Sequence, residues 1–220
     1  MTCHDTAVDA PSQPPRRRPD PAGVRTSQSD PLRIDALNAD HGHIGICICP
    51  GKNGRSWSGP NWRRDLATDL EAVALWRPAA VVTLIEDHEF ELLGVTELGP
   101  QVHRRGIEWH HLPIADLQPP DARFEQRWID SGPRLQGHLR AGARVLIHCR
   151  GGLGRAGTVA ARLLVELGLP ADEAIARVRR ARPGAIESES QAEHVLRLAT
   201  RTTGRTNVSC RTASIVLMHQ

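Results

Sequence analysis

The sequence predicts an α/β fold with a central, mostly parallel sheet flanked by helices. Three observations point to it. Two short apolar runs, Ala79–Ile85 and Val145–Ile147, have the near-continuous valine-, leucine- and isoleucine-rich character of strands covered on both faces. Segments with helical spacing alternate with the strand-like runs, which is the pattern of parallel strands joined by crossover helices. The run ending at His148 leads through a glycine-rich stretch directly into a helical pattern at Ala156–Leu167.

Taken in order, the elements begin with Ile44–Cys49, an alternating run stopped by Pro50-Gly51. Cys47 and Cys49 share one face of this strand and read as small core thiols. Trp62–Trp76 has helical spacing, with Leu66, Leu70, Val73 and Leu75 apolar. Ala79–Ile85 is the first buried strand. Glu91–Gly106 reads as one helix stopped by its glycine, and Ile107–Leu112 as a strand. Asp121–Leu139 is a helix with Asp121 suited to the N-cap, and Arg144–His148 is the strand before the glycine loop. Ala156–Leu167, Pro170–Ala181 and Ser188–Thr203 follow as helices, with Pro170 suited to a first turn.

At 220 residues the chain suits one domain. That domain is expected over residues 33–203. Residues 1–32 are rich in Pro, Ser, Asp and Arg and read as a disordered leader, and 204–220 as a flexible tail. With five Trp, two Phe and no Tyr, the core must be built mainly from Leu, Val, Ile and Ala. A net charge of +3 is too mild for a nucleic-acid binder and allows only a weak preference for anions. The five cysteines, at 3, 47, 49, 149 and 210, show no disulfide framework or paired zinc spacing, so a reducing cytoplasm is expected. No run matches a signal peptide or a membrane span. The close pairs His41/His43 and His110/His111 lack nearby acidic ligands and read as packing or surface residues, so no metal and no cofactor is expected.

The chemistry concentrates in His148-Cys149-Arg150-Gly151-Gly152-Leu153-Gly154-Arg155. A strand, a glycine loop and a helix N-terminus make an anion cradle. Glycine permits the φ/ψ values that turn successive N–H groups onto one point, and the following helix adds unpaired N–H groups and its dipole. Cys149 at the start of such a loop is placed where its thiolate is favoured. Arg155 at the end offers a planar fork that fits two phosphate oxygens, and an arginine at a helix N-terminus makes electrostatic sense when an anion sits there. The loop residues Arg150, Gly151, Gly152, Leu153 and Gly154, with Arg155, are therefore the expected phosphate site. A nucleophile facing a bound phosphate implies phosphoryl transfer to sulfur. His148 is the neighbour of Cys149 on a strand, so it should face away from the phosphate and support the loop.

A second segment supplies an acid. His110-His111-Leu112-Pro113-Ile114-Ala115-Asp116 leads into a polar, proline-rich loop able to act as a flap. Asp116 is the candidate general acid, and Asp121 its rival. The Cys149 and Asp116 loops both leave strand C-termini, so the expected topology puts them on one edge of the sheet.

Together these two segments resemble the cysteine-dependent protein tyrosine and dual-specificity phosphatase superfamily, and in particular its small kinase-associated members (cyclin-dependent kinase inhibitor 3-like). There the loop likewise reads Gly-Gly-Leu-Gly-Arg. The resemblance covers roughly residues 44–200 and implies a protein-tyrosine-phosphatase-like fold over the 33–203 domain. It also implies a dual-specificity activity through a cysteinyl phosphate, with a phosphoprotein or phosphopeptide as substrate; the protein is expected to act as a monomer, without nucleic acid or membrane. It assigns Cys149, Arg155 and Asp116 to catalysis, gives His148 a supporting role, and matches Gln191 to a glutamine that positions the hydrolytic water. One position departs from the pattern. The family usually carries Ser or Thr after the loop arginine to assist the leaving sulfur, and here Ala156 stands there; Thr158, one helical turn from Arg155, is the candidate substitute. Competing expectations are a phosphoprotein-binding module with weak or lost turnover, supported only by Ala156, and a rhodanese-type sulfurtransferase, opposed by His148, Arg155 and Asp116.

Overall fold

The computed structural model describes residues 23–56 and 59–198. The elements are β1 (Val24–Arg25), β2 (Asp35–Ala39), β3 (Gly42–Cys47), β4 (Asn53–Gly54), β5 (Asn61–Arg63), α1 (Leu66–Trp76), β6 (Ala80–Thr83), α2 (Asp87–Leu92), α3 (Leu98–Arg104), β7 (Glu108–His111), α4 (Ala122–Arg140), β8 (Arg144–His148), α5 (Gly154–Glu166) and α6 (Ala171–Ala181). A last helix, α7, covers 189–198 of the described residues.

The main sheet has the order β2-β3-β8-β6-β7. Strands β3, β8, β6 and β7 are parallel, and β2 closes one edge as the antiparallel arm of a hairpin with β3. Four strands therefore end on the same edge, and the loops after them share one rim of the molecule.

Strand alternation divides the core in two. Val145 and Ile147 pack with Ile44, Ile46, Ala80 and Val82 against α4, α5 and α6. Leu146 and Val81 face the other way, with Cys47 and Cys49, against α1 and α3. The same parity continues past the strand end. Cys149 belongs with Val145 and Ile147, while His148 projects to the α1/α3 side. Helix α5 is the central helix, buried from Gly154 through Val165.

Several expectations are corrected. The helix expected over Glu91–Gly106 is two helices, α2 and α3. Gly94 adopts φ 66°, and the N–H groups of Val95 and Gly94 bond the Phe90 and Glu91 carbonyls at 2.8 and 3.0 Å. This left-handed cap stops a helix even where apolar spacing continues. The segment from Trp62 is strand β5 before it is helix: α1 begins after Asp65, whose side chain accepts from Thr68 N–H. The leader boundary at residue 32 is also too late. Val24–Arg25 pairs with Asn61–Trp62 in a small sheet of order β1-β5-β4, and the Arg25 guanidinium lies 3.7 Å from the Trp62 ring centre. The rest of the leader, and the tail at 204–220, lie outside the described residues.

Candidate active site

Strand β8 delivers Cys149 to the rim, and α5 starts five residues later at Gly154. Gly152 is the residue the turn cannot replace. Its φ is 66°, and a Cβ there would lie 2.3 Å from the Cys47 carbonyl oxygen. The Gly152 N–H donates to Cys149 Sγ at 3.2 Å. Loop carbonyls point outward, where cations and backbone hold them. Lys52 Nζ and the Cys49 N–H reach the Arg150 carbonyl at 3.2 and 3.4 Å. Arg182 donates to the Gly151 and Gly152 carbonyls at 3.2 and 3.0 Å. Arg182 is itself braced by Asp35 at 2.6 Å. Carbonyls drawn outward leave the amide dipoles available to an anion beside the sulfur.

Arg155 is almost fully buried, 2% exposed, yet does not lack partners. Its guanidinium makes a two-point ion pair with Glu89 of α2 and donates to the Ile114 carbonyl at 3.1 Å. Burial opposes its charge most strongly, but the Glu89 hydrogen bonds together with the negative charges of Glu89, Cys149 and Asp116 outweigh it and hold its pKa above the ordinary arginine value. Glu89 is equally buried and also accepts from the Glu86 N–H at 2.9 Å in a capping box at the start of α2.

Asp116 is brought to the same place. Its Oδ1 lies 3.0 Å from Arg155 NH2, and the side chain is 54% exposed at the cleft mouth. Its loop is tied down from the far side: Ser188 Oγ donates to the Leu117 carbonyl at 3.1 Å, and Gln191 Nε2 to the Gln118 carbonyl at 3.2 Å. Asp121 caps α4, accepting the Phe124 N–H at 3.0 Å.

His148 is fully buried and faces away from Cys149. Its Nε2 lies 2.8 Å from Thr83 Oγ1, which also accepts from Trp109 Nε1 at 2.8 Å. With Trp109 Nε1 donating to Thr83 Oγ1, the threonine's own proton is directed to Nε2, and this assigns the ring proton to Nδ1. Burial lowers the imidazole pKa to about 4, so the ring is neutral at pH 7. Its partner is a side chain on the neighbouring strand.

Two supporting residues differ from expectation. The Gln191 amide is fully buried: its Oε1 accepts from Glu187 N and Ser188 N at 3.0 and 3.3 Å, and its Nε2 holds the acid loop. It lies beside Gly154 and acts as a bracket between two loops. The Thr158 hydroxyl donates to the Gly154 carbonyl at 2.8 Å, the back-bond typical of a helical threonine. Its single proton is therefore committed there and does not replace the hydroxyl that Ala156 lacks.

Three residues that sequence reading missed complete the site. Glu89 and Arg182 brace Arg155 and the loop. Glu187 places a carboxylate oxygen 2.7 Å from the Gly154 N–H, directly on a loop amide. Asp116, Leu117, Arg150, Gly151, Lys52, Arg55, Trp62 and Glu187 line a cleft of about 420 Å³. Cys47 and Cys49 are fully buried, and burial pushes both thiols well above their ordinary range, so neither is a nucleophile.

Residues 63–195 match the family model of the Swiss Army Knife protein DSP-PTPase phosphatase domain. The chain belongs to this family, and its domain is a protein phosphatase domain of the tyrosine and dual-specificity kind. It is similar to the mouse protein tyrosine phosphatase type IVA 3, 34% identical over 56% of this chain and 66% of that protein. It is also similar to the pig cyclin-dependent kinase inhibitor 3, 30% identical over 69% of each. The chain thus spans about two thirds of the length of these curated relatives. Among solved structures it resembles the kinase-associated phosphatase with its catalytic-site cysteine replaced by serine, with TM-score 0.68, 26% identity, and coverage of 77% of this chain and 95% of that one. It also resembles Tk-PTP in its active form, with TM-score 0.56, 32% identity, and coverage of 75% and 95%. The α/β fold expected from sequence is the fold of these phosphatases.

Proposed function

We propose that this chain hydrolyses phosphoprotein monoesters, on tyrosine and on serine or threonine, through a cysteinyl-phosphate intermediate. One observation carries the assignment of residues: Arg155 is held rigidly by Glu89 on one side and faces Asp116 on the other, at the mouth of the loop whose N–H bonds Cys149 Sγ.

In the first step the Cys149 thiolate attacks phosphorus in line. The S–P bond forms as the ester P–O bond breaks, Asp116 delivers its proton to the leaving oxygen, and Arg155 and the loop N–H groups hold the equatorial oxygens. In the second step water attacks the phosphocysteine, gives its proton to Asp116, and the sulfur leaves as thiolate. His148 takes no proton in either step, since it is neutral and turned to the other face.

Glu187 modifies the first step. Its carboxylate occupies the Gly154 amide, and an incoming phosphate oxygen needs the same donor. Substrate binding then requires the carboxylate to swing out. Ala156 modifies the second, because no neighbouring hydroxyl assists the departing sulfur. Both features favour slow turnover, and a phosphoprotein-binding role with weak turnover is the second reading they support.

A thiolate nucleophile needs reducing surroundings, which favours the cytoplasm. The protein is taken to act as a monomer on phosphoproteins, without nucleic acid or membrane. No helix among the described residues is long and apolar enough to cross a membrane.

The test is phosphate release from p-nitrophenyl phosphate and from tyrosine and serine/threonine phosphopeptides. Cys149→Ser should abolish turnover. Asp116→Ala should lose on the order of 10²–10³-fold on alkyl phosphates, and far less on the nitrophenyl ester, whose leaving group scarcely needs a proton. Turnover surviving Cys149→Ser would overturn the mechanism.

A further inference from the structure

The cations around the catalytic cleft fall into two groups. Arg64 and Arg182 are absorbed by the fold. Arg64 directs its guanidinium to Asp69 and the Asp30 carbonyl, and Arg182 directs its own to Asp35 and the loop carbonyls. Lys52, Arg55 and Arg150 are different. Lys52 is a buried residue, 8% exposed, whose ammonium makes one hydrogen bond, to the Arg150 carbonyl, and has no carboxylate partner among the described residues. It lies 4.6 Å from the centre of the Trp62 ring. The side chains of Arg55 and Arg150 form no hydrogen bond or ion pair among the described residues. All three line the cleft that also holds Asp116, and the cleft's two carboxylates are already engaged, Asp116 with Arg155 and Glu187 with the Gly154 amide.

A buried ammonium without a carboxylate is costly unless an anion arrives to pair with it. Burial lowers the Lys52 pKa to about 8, so its charge survives at neutral pH but at a penalty. Trp62 forms a fixed wall behind it, with Arg25 stacked over the indole. The phosphate loop does not serve this anion, because Lys52 approaches it from the carbonyl side.

We propose that Lys52, Arg55 and Arg150, set against Trp62, form a subsite for a second anionic group on a peptide substrate, a carboxylate or a phosphate within about two residues of the phosphorylated residue. This deepens the phosphatase reading and rests on it. An extended peptide advances about 3.4 Å per residue, so a side chain two positions away lies about 7 Å along the cleft. Lys52, Arg55 and Arg150 line the same cleft as Asp116, which puts them beside the reaction site. Specificity of this kind comes from charge placed beside the reaction site, so it should weaken with salt.

The experiment uses the full chain and three phosphotyrosine peptides that differ only two positions from the phosphotyrosine: Ala, Glu or phosphoserine. Wild-type kcat/KM should be about tenfold higher for Glu than for Ala, and higher again for phosphoserine, as expected of two or three partly exposed ion pairs. The Cys149→Ser variant should bind the peptides in the same order in a titration without turnover. Arg55→Ala, at an exposed position, should shrink the Glu/Ala ratio about threefold, and Lys52→Met combined with Arg55→Ala should bring it close to one. Raising the salt from 0.05 to 0.5 M should shrink it likewise. Equal binding of the three peptides by Cys149→Ser would overturn the subsite, as would a ratio unmoved by Arg55→Ala. Ordered binding with no turnover of any peptide by wild type would overturn the phosphatase reading and leave the subsite standing. A tenfold preference for phosphoinositide vesicles over every peptide would overturn the peptide assignment.

Discussion

Replacing Glu89 with alanine removes the carboxylate that holds Arg155 in place, and the cost follows from the burial of the pair. Arg155 is 2% exposed and Glu89 3%, and the two meet at two points. Breaking a buried ion pair by deleting one partner leaves an uncompensated charge and costs about 3–5 kcal/mol. The Glu86 N–H loses its capping acceptor in the same substitution, adding about 1 kcal/mol. Against a domain stability of about 5–15 kcal/mol, Glu89→Ala should be folded but strongly weakened. Glu89→Gln keeps the shape and one carbonyl acceptor and should lose less, about 1.5–3 kcal/mol. Urea unfolding gives these differences as shifts in midpoint at constant slope. A tethered arginine also predicts a catalytic effect, so kcat/KM on p-nitrophenyl phosphate should fall at least tenfold in both variants. Inorganic phosphate, by pairing with the released Arg155, should stabilise Glu89→Ala more than wild type. The pair also predicts a pH signature. Burial raises the Glu89 pKa, but Arg155 and the Glu86 N–H together lower it more, so its folded value lies below the ordinary 4.5. The stabilisation is then fully present above that ordinary value and lost as pH falls through the lower folded one, so wild type and Glu89→Gln should converge in stability in acid. An unfolding midpoint for Glu89→Ala equal to that of wild type, with unchanged kcat/KM, would refute the role of Glu89.

Other substitutions test the rest of the site. Glu187→Gln should free the Gly154 amide from a competing charge and lower the inhibition constants of phosphate and vanadate several-fold; equal or higher constants would count against displacement of Glu187 by the substrate. Ala156→Ser should speed breakdown of the phosphocysteine, seen as a smaller burst relative to the steady state in rapid-mixing assays. Thr83→Val leaves both His148 Nε2 and Trp109 Nε1 without their shared partner and should cost about 1–3 kcal/mol in urea unfolding, with the ring still neutral at pH 7.

Much of the catalytic loop was legible in the chain because its signals are local. A strand, glycines and a helix within one short stretch already specify a cradle, and the pleat of the strand alone turns His148 away from Cys149. The N-cap role of Asp121 was readable for the same reason, since a cap bonds backbone three residues on. The single helix expected over Glu91–Gly106 failed on one residue: the left-handed Gly94 ends α2 although the apolar spacing runs on.

What the sequence alone determined was the α/β class and the strand–loop–helix unit that carries the proposed nucleophile, since these rest on neighbouring residues or on the period of strand and helix. Only the tertiary structure decided what holds them. Glu89 meets Arg155 across 66 positions, Asp35 meets Arg182 across 147, and Glu187 reaches the Gly154 amide across 33. Such pairs depend on how helices settle against the sheet, and no local period encodes them. The same holds for Thr158, one helical turn from Arg155, and Gln191, matched through the family resemblance, whose polar atoms bond the Gly154 carbonyl and the Gln118 carbonyl once the backbone packs around them.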